Sequence, residues 1–425
     1  MRRQGAPVKR RNPLLAAFLS LITLGLGQVY NGDLRGGVLL NVLACVAAFL
    51  YSFRIFTDGT KDFTFLAAFL SLFLFLKVYS IGQALLESRR LRTSFALRKF
   101  NRLYFYAAFS AFFLFLFIAP GEIVRQRALS DISAAHPFRS AAARDRYLRT
   151  YDLEAGKWPV PSETKTVGTS YGQTFVRISG PRGAPPLVLL HGASATSLMW
   201  RPNIKALAGS YRTYAVDNIY DLGRSIYTRK IRTPDDFSNW LDELFSALEL
   251  GDRINLVGQS YGGWIAAQYA LRFPGRLNKV VLLAPAGVLP FRREFLMRGL
   301  LSLIPHPYFS RSMMTWLLED TAKKDQAGRE LVNELVENIR LGQSCFKPKA
   351  LVNPTVLTDE EWRSIRVPAL FLVGENEKIY SALKAVERLR EVAPRVEAQI
   401  IPEAGHDLTV AQADLVNSRI VAWLQ

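Results

Sequence analysis

The chain has 425 residues, a formal net charge of +18 and two cysteines. That length exceeds one typical domain, and two cysteines exclude a disulfide framework, so Cys45 and Cys345 are expected as free thiols. The basic excess sits at the ends of apolar runs in roughly the first 120 residues, where it flags membrane segments and calls for no nucleic-acid partner.

Four apolar runs open the chain, over 12–32, 36–53, 63–86 and 103–121. A helix needs about 20 apolar residues to cross the hydrocarbon. The clearest candidate is "LYFYAAFSAFFLFLFIAPG" (103–121), uncharged throughout. The second run is uncharged from Gly36 to Phe53, and the third carries Lys77, whose long stem can reach toward the interface. The first, "NPLLAAFLSLITLGLGQVYNG", is apolar only in its first two-thirds. A cleaved signal peptide is its rival reading, but no small-x-small cleavage site follows.

Two basic clusters set the orientation. "MRRQGAPVKRR" holds five basic residues and "SRRLRTSFALRKFNR" (88–102) six, and neither holds an acid. Both are expected on the cytoplasmic side. Two crossings between them satisfy this and three do not. Run one is therefore expected as a re-entrant or interfacial segment, followed by three true spans. Everything after residue 121 then lies outside the cytoplasm. The glycines of "GLGQVYNGDLRGG" (25–37) permit a tight turn, with Tyr30 at the interface. This all-α transmembrane region, 1–121, reads as an anchor.

Residues 122–165 are polar and rich in Arg and Ala, and read as a helical stalk. Beyond it, β-rich runs recur: "TFVRISG", "PLVLLHG", "RTYAVD", "INLVGQS", "KVVLLAPA", "PALFLVG" and "AQIIPEAG". Near-continuous apolar strands of this kind belong to a parallel sheet covered on both faces. Helical patterns alternate with them. One opens at Thr233-Pro234-Asp235-Asp236, with a capping residue, a proline and first-turn acids. The fold class is α/β, a doubly wound, mostly parallel sheet over residues 166–425.

"INLVGQSYGGW" (254–264) carries G-x-S-x-G between a predicted strand and a predicted helix. The pentapeptide alone decides little; the strand–turn–helix setting is what a nucleophile elbow requires. The turn strains the serine backbone, so small residues must flank it, and Gly258 and Gly262 do. Ser260 is thus the candidate nucleophile, and it needs a base with an acid behind it. Of four histidines, His136 lies in the stalk, His306 in a helical insertion, and His191 in "LLHGAS", where a loop-shaping role fits. His406 in "PEAGHDLTV", just past the last strand, remains as the base. The acid is Glu377 in "GENEKIY", with Glu375 in the same turn as the alternative. Asp217 also ends a strand, but its place before "LGRS" points to loop structure. The chain order Ser–acid–His is that of α/β-hydrolases. Two backbone donors are needed for a developing oxyanion, and Tyr261 and Ala193 are the candidates, with Gly192 allowing close approach.

From about Trp158 onward the chain resembles the α/β-hydrolases of the bacterial carboxylesterase group that includes naproxen esterase. The matching pieces include "WPVPSETKTVGTSYGQTFVRISGPRGAPPLVLLHGASATSLMWRPNI", "YRTYAVDNIYDLGRS", "TDEEWRSIRVPALFLVGENEKIY" and "AGHDLTV", in the family's order. The resemblance implies a Ser–acid–His hydrolase of carboxylic esters with no metal or organic cofactor. It also implies Glu, not the commoner Asp, as the acid. The membrane segment falls outside the resemblance, and residues 290–355, where such hydrolases place a helical cap, match poorly. That insertion, with "FRREFLMRGLLSLIPHPYFSRSMMTWLL", is basic and apolar together. Covering a pocket explains the pattern; a cap that lies against a bilayer and admits a lipid-like ester is the sharper reading. The substrate is thus a small-molecule or lipid-like ester. The same triad would serve an amidase, thioesterase or peptidase, and the rival from another class is a non-catalytic binding or sensing module.

Overall fold

The computed structural model describes residues 10–58, 63–91, 95, 100–130, 136–302, 307–347 and 351–425. His306 and most of the two basic clusters lie outside the described residues. The chain divides into two compact units, Met1–Asp131 and Ile132–Gln425.

The first unit is helical. The helix Pro13–Ile22 starts where the Asn12 side chain accepts the N–H groups of Leu14 and Leu15. It runs only ten residues, a rise of about 15 Å, half the thickness of a hydrocarbon core. The chain breaks at Gly25, which takes a φ of 78°, forms the short helix Leu26–Tyr30, and turns into Leu34–Asp58. Helices Phe63–Arg90 and Leu103–Ser130 follow.

Polar groups around the break pair with Phe63–Arg90, whose Ser80 hydroxyl accepts the Gly25 N–H (3.1 Å). Gln28 donates to the Ser80 carbonyl (2.8 Å) and Asn31 to that of Ala84 (2.7 Å). Lys77 Nζ donates to the carbonyls of Ser20 (3.1 Å) and Leu21 (2.8 Å), capping the end of Pro13–Ile22, where its stem was expected to run to the interface. Tyr30, also expected there, is buried, and its hydroxyl accepts the Asn12 N–H.

Among the described residues two helices are long and apolar enough to cross a membrane, Leu34–Tyr51 and Ala67–Arg90; a signal sequence or a buried core helix has the same length and composition. The run at 103–121, expected as the clearest span, extends beyond the residues whose side chains are described. Its described apolar stretch is Leu103–Ile118, within the helix Leu103–Ser130.

Among its described residues the second unit has nine strands: β1 (Ser162–Thr169), β2 (Gly172–Ser179), β3 (Pro186–Leu190), β4 (Arg212–Val216), β5 (Ile226–Tyr227), β6 (Ile254–Gln259), β7 (Leu277–Leu283), β8 (Ala369–Gly374) and β9 (Val396–Ile401). They lie in the order β1-β2-β4-β3-β6-β7-β8-β9, with β5 beside β2. Pairing is antiparallel from β1 through β2 to β4 and parallel from β4 onward.

The apolar runs split by parity, because alternate strand residues face opposite sides. Val188, Leu190, Val280, Leu282, Phe371 and Val373 enter one core with helices Pro234–Ala247, Tyr261–Arg272 and Ala382–Val392. Leu187, Leu189, Val281, Leu283, Leu370 and Leu372 enter the other, against Arg201–Leu207 and Ala413–Leu424. Both faces are covered, so both parities are apolar. The helix Pro234–Ala247 closes its capping box between Thr233 and Asp236.

Among the described residues, five helices stand between β7 and β8; the first four are Arg293–Ser302, Pro307–Leu317, Glu319–Lys324 and Gln326–Cys345, and Asp359–Ser364 leads into β8. Those four fall within the insertion where a cap was expected.

The expected stalk is divided differently. Helix Ala141–Ala155 belongs to the second unit, with Tyr147 and Tyr151 buried beside Phe138 and Phe346. The Tyr151 hydroxyl donates to Asp217 (3.0 Å). Two aromatics four residues apart make an apolar stripe that the surrounding arginines and alanines hide. His136 likewise lies in this unit, its ring edge-on to Tyr227 at 4.1 Å.

Candidate active site

Ser260 stands at the junction of β6 and the helix Tyr261–Arg272, with φ 53° and ψ −113°. A non-glycine residue held there costs about 1–3 kcal/mol, and the surroundings must impose it. They do so by hydrogen bonds from Ser260 N to Leu283 O (2.9 Å) and from Ala286 N to Ser260 O (3.0 Å). The flanking glycines are required by contact. A Cβ on Gly258 would stand 2.2 Å from the Gly262 carbonyl oxygen, and one on Gly262 2.4 Å from that of Leu190.

The hydroxyl so presented meets His406. Nε2 of the imidazole lies 2.9 Å from Ser260 Oγ. On the other side Nδ1 is 3.1 and 3.0 Å from the two carboxylate oxygens of Glu377. An ionised carboxylate only accepts, so Nδ1 carries the proton and Nε2 is left to accept from the serine hydroxyl. Glu377 is itself held by the Ile379 N–H, which donates to Oε1 at 2.8 Å. Gln259 donates to the His406 carbonyl at 3.0 Å.

Burial pushes the imidazole pKa down, but the charge and hydrogen bond of Glu377, with the nearby Asp407 carboxylate, outweigh it. His406 therefore sits above the ordinary histidine value. Glu375 is exposed and accepts the Glu403 N–H (3.3 Å), away from the histidine.

Tyr261 is the first residue of its helix, so its N–H has no intrahelical acceptor. Ala193 stands in the loop after β3 and lines the same cavity as Ser260 and His406. The Gly192 Cα approaches closely: a Cβ there would be 3.3 Å from Ser260 Cβ.

The loop is braced by Asp217 and His191, which the sequence assigned to loop structure, and by Asp221, which it did not single out. Asp221 accepts the Ser194 N–H at 3.2 and 3.0 Å through its two oxygens. Asp217, buried, accepts the N–H groups of Ser197 (2.7 Å) and Arg224 (2.8 Å), a loop-organising role. His191 receives the Asn218 N–H at Nε2 (2.9 Å), and its Nδ1 lies 2.8 Å from the Gly192 carbonyl. Asp221 and Ser194 are 27 residues apart, and no local pattern announces their pairing.

A cavity of about 290 Å³ opens above Ser260. The cap supplies its roof through Phe295, Met313, Met314, Leu317, Leu331 and Leu335. A second space of about 90 Å³ adjoins it, walled by Tyr147 and Tyr151 and sharing Leu198, Met199 and Leu335. Such walls suit an apolar acyl or alcohol group. Among the described residues no group of three or more His, Cys, Asp or Glu side chains could hold a metal ion.

Residues 187–419 match the model of the Alpha/beta hydrolase family. The chain belongs to the α/β-hydrolase family. Within it, the chain is 37% identical over 286 residues to a Bacillus subtilis protein named uncharacterized carboxylesterase nap, covering 65% of this chain and 92% of that one. It is 33% identical over 296 residues to carboxylesterase YbfK of Bacillus subtilis, covering 66% and 93%. The crystal structure of naproxen esterase from Bacillus subtilis superimposes with a TM-score of 0.61 at 35% identity, covering 69% of this chain and 100% of that one. In sequence and fold this α/β-hydrolase is carboxylesterase-like. About a third of the chain has no counterpart in these relatives.

Proposed function

We propose that the protein is a membrane-anchored serine hydrolase that cleaves carboxylic esters through an acyl-enzyme. The observation that carries this reading is the unbroken chain from Ser260 Oγ through His406 to Glu377 at the floor of an apolar, capped cavity. In the proposed reaction His406 Nε2 takes the hydroxyl proton as Ser260 Oγ attacks the ester carbonyl. Glu377 holds the ring in the tautomer that can do so and stabilises the imidazolium that forms. The carbonyl oxygen gains negative charge, which the N–H groups of Ala193 and Tyr261 receive. The imidazolium then protonates the departing alkoxide, leaving Ser260 acylated. Water, deprotonated by the same imidazole, releases the acid and restores the serine. The carboxylesterase names of the relatives favour an ester over an amide or thioester.

A fluorophosphonate probe tests the chemistry. Wild-type protein should be labelled and Ser260→Ala should not, and wild type should turn over a series of p-nitrophenyl esters. Folded wild-type protein that neither takes the label nor cleaves any ester would leave a non-catalytic binding module as the reading.

The anchor is the amino-terminal unit. Its two long apolar helices support spans, and the ten-residue Pro13–Ile22 supports a re-entrant first segment. With both basic clusters on the cytoplasmic side, the last apolar helix delivers the hydrolase to the other side. A reporter enzyme fused after residue 125 should be active only in its extracytoplasmic form. Activity solely from a cytoplasm-active reporter reverses the orientation.

A further inference from the structure

We propose that the cap helix Arg293–Ser302 lies on a lipid bilayer and that the active site draws a lipid-like ester through it. The proposal rests on the membrane-anchored hydrolase reading above and adds the substrate class and its route.

The helix has no buried residue. One of its side chains, Phe295, lines the cavity over Ser260. On the outside, Leu296, Met297, Leu300 and Leu301 are exposed by 53, 57, 61 and 40%. Their spacing of one, four and five residues gathers them into a single stripe. A helix that only roofs a pocket needs one apolar side. This helix has two, with the reactive cavity against one and solvent against the other. Contiguous exposed apolar surface of this kind marks an interaction site.

Charge selects the occupant. Arg293 is exposed at the start of the helix, Arg292 just before it donates to the Glu377 carbonyl (3.2 Å), and Arg298 follows a turn later, paired with Glu294 at 3.0 Å. A basic, leucine-rich helix of this design binds the interface of an anionic bilayer by apolar burial and charge together. The same chain carries two helices long and apolar enough to cross a membrane, which would keep a bilayer within reach. An apolar ester leaving the lipid would meet Leu300 outside and Phe295 inside the same helix.

The test uses full-length protein in vesicles containing anionic lipid. In a Cys45→Ala, Cys345→Ala background, an environment-sensitive fluorophore is placed on Leu300→Cys, with Leu383→Cys, on an exposed face of Ala382–Val392, as control. Lipid-borne nitroxide should quench the probe at 300 and not that at 383, with aqueous iodide doing the reverse. Iodide reaching both alike overturns the proposal. So does a probe at 300 shielded from both quenchers, which would mean that protein, a second copy or another part of this chain, covers the stripe. In parallel, the Leu296→Ser, Met297→Ser, Leu300→Ser triple variant should lose roughly tenfold of its turnover of a long-chain ester carried in vesicles, because interfacial binding scales with buried apolar area. Its turnover of p-nitrophenyl acetate should stay at the wild-type level. An equal change on both esters overturns the proposed route. Wild-type protein inert on both would sink the hydrolase reading and the substrate half of this one, while the quenching result still decides the bilayer contact.

Discussion

Ser260, His406 and Glu377 each depend on a neighbour that fixes a conformation rather than on reactivity of their own. The serine is held in a strained backbone geometry by glycines that leave no room for a methyl group. The histidine is polarised by a carboxylate that is itself anchored by the Ile379 N–H. A pH dependence follows. The proposed base must be neutral to act, so kcat/KM should rise with pH through the His406 pKa, which stands above the ordinary histidine value. Replacing Glu377 by Gln removes the charge responsible for the elevation and favours the wrong tautomer. The acid limb should then move to lower pH while kcat falls roughly 10⁴-fold. A pH–rate profile of Glu377→Gln that coincides with wild type would rule out this role. Asp217 was legible as a loop residue, while Asp221 was not, because its partner Ser194 is far away in sequence.

At the scale of elements, the cap is tied to the loop that carries His406, the proposed base. Asp407, directly after His406, accepts the N–H of Thr321 at 2.8 Å, in the first turn of the cap helix Glu319–Lys324. Both residues are buried, and burial pushes the Asp407 carboxyl pKa up. Removing the acceptor leaves that N–H unpaired, at a cost of about 1–3 kcal/mol. Asp407→Ala should therefore open residues 319–324 to hydrogen exchange and raise KM for bulky esters. Asp407→Asn, which keeps an acceptor, should largely preserve both. Mass-spectrometric exchange reads the outcome, and identical protection in wild type and Asp407→Ala would exclude the tie. A second tie is made where Arg201 and Lys157 bridge Glu154 of Ala141–Ala155 to Glu334 of Gln326–Cys345. These pairs are partly exposed, so they hold the cap weakly. The sequence missed β1 for a related reason. It is a polar edge strand, exposed along most of its length, and carries no apolar signal.

At the scale of the molecule, the division at Asp131 and Ile132 separates two folding problems. The first unit satisfies the backbone of its broken helix with the Lys77 and Ser80 side chains, and the second closes two apolar cores around one sheet. The Bacillus carboxylesterases, matched over nearly all of their length, manage without the first. A fragment comprising residues 132–425 should therefore fold and hydrolyse small soluble esters within about threefold of the full chain, since a domain with its own core can fold alone. Circular dichroism and p-nitrophenyl acetate turnover check this. An unfolded or inert fragment would show that the hydrolase depends on the amino-terminal unit.

What the sequence by itself determined was whatever is encoded locally. The alternation of strand and helix, the glycine-flanked turn at Ser260 and the capping box at Thr233 each depend on residues close enough to constrain one another through backbone geometry. The order of Ser260, Glu377 and His406 could be matched to a known pattern for the same reason: each sits in its own short motif. Tertiary structure alone decided that Ala141–Ala155 packs against the hydrolase as one of its walls, that Asp221 braces the loop of Ala193, and that one cap helix is apolar on two sides. Those outcomes depend on burial against partners tens or hundreds of residues away. A side chain's environment there is set by the packing of whole elements, which no local spacing records.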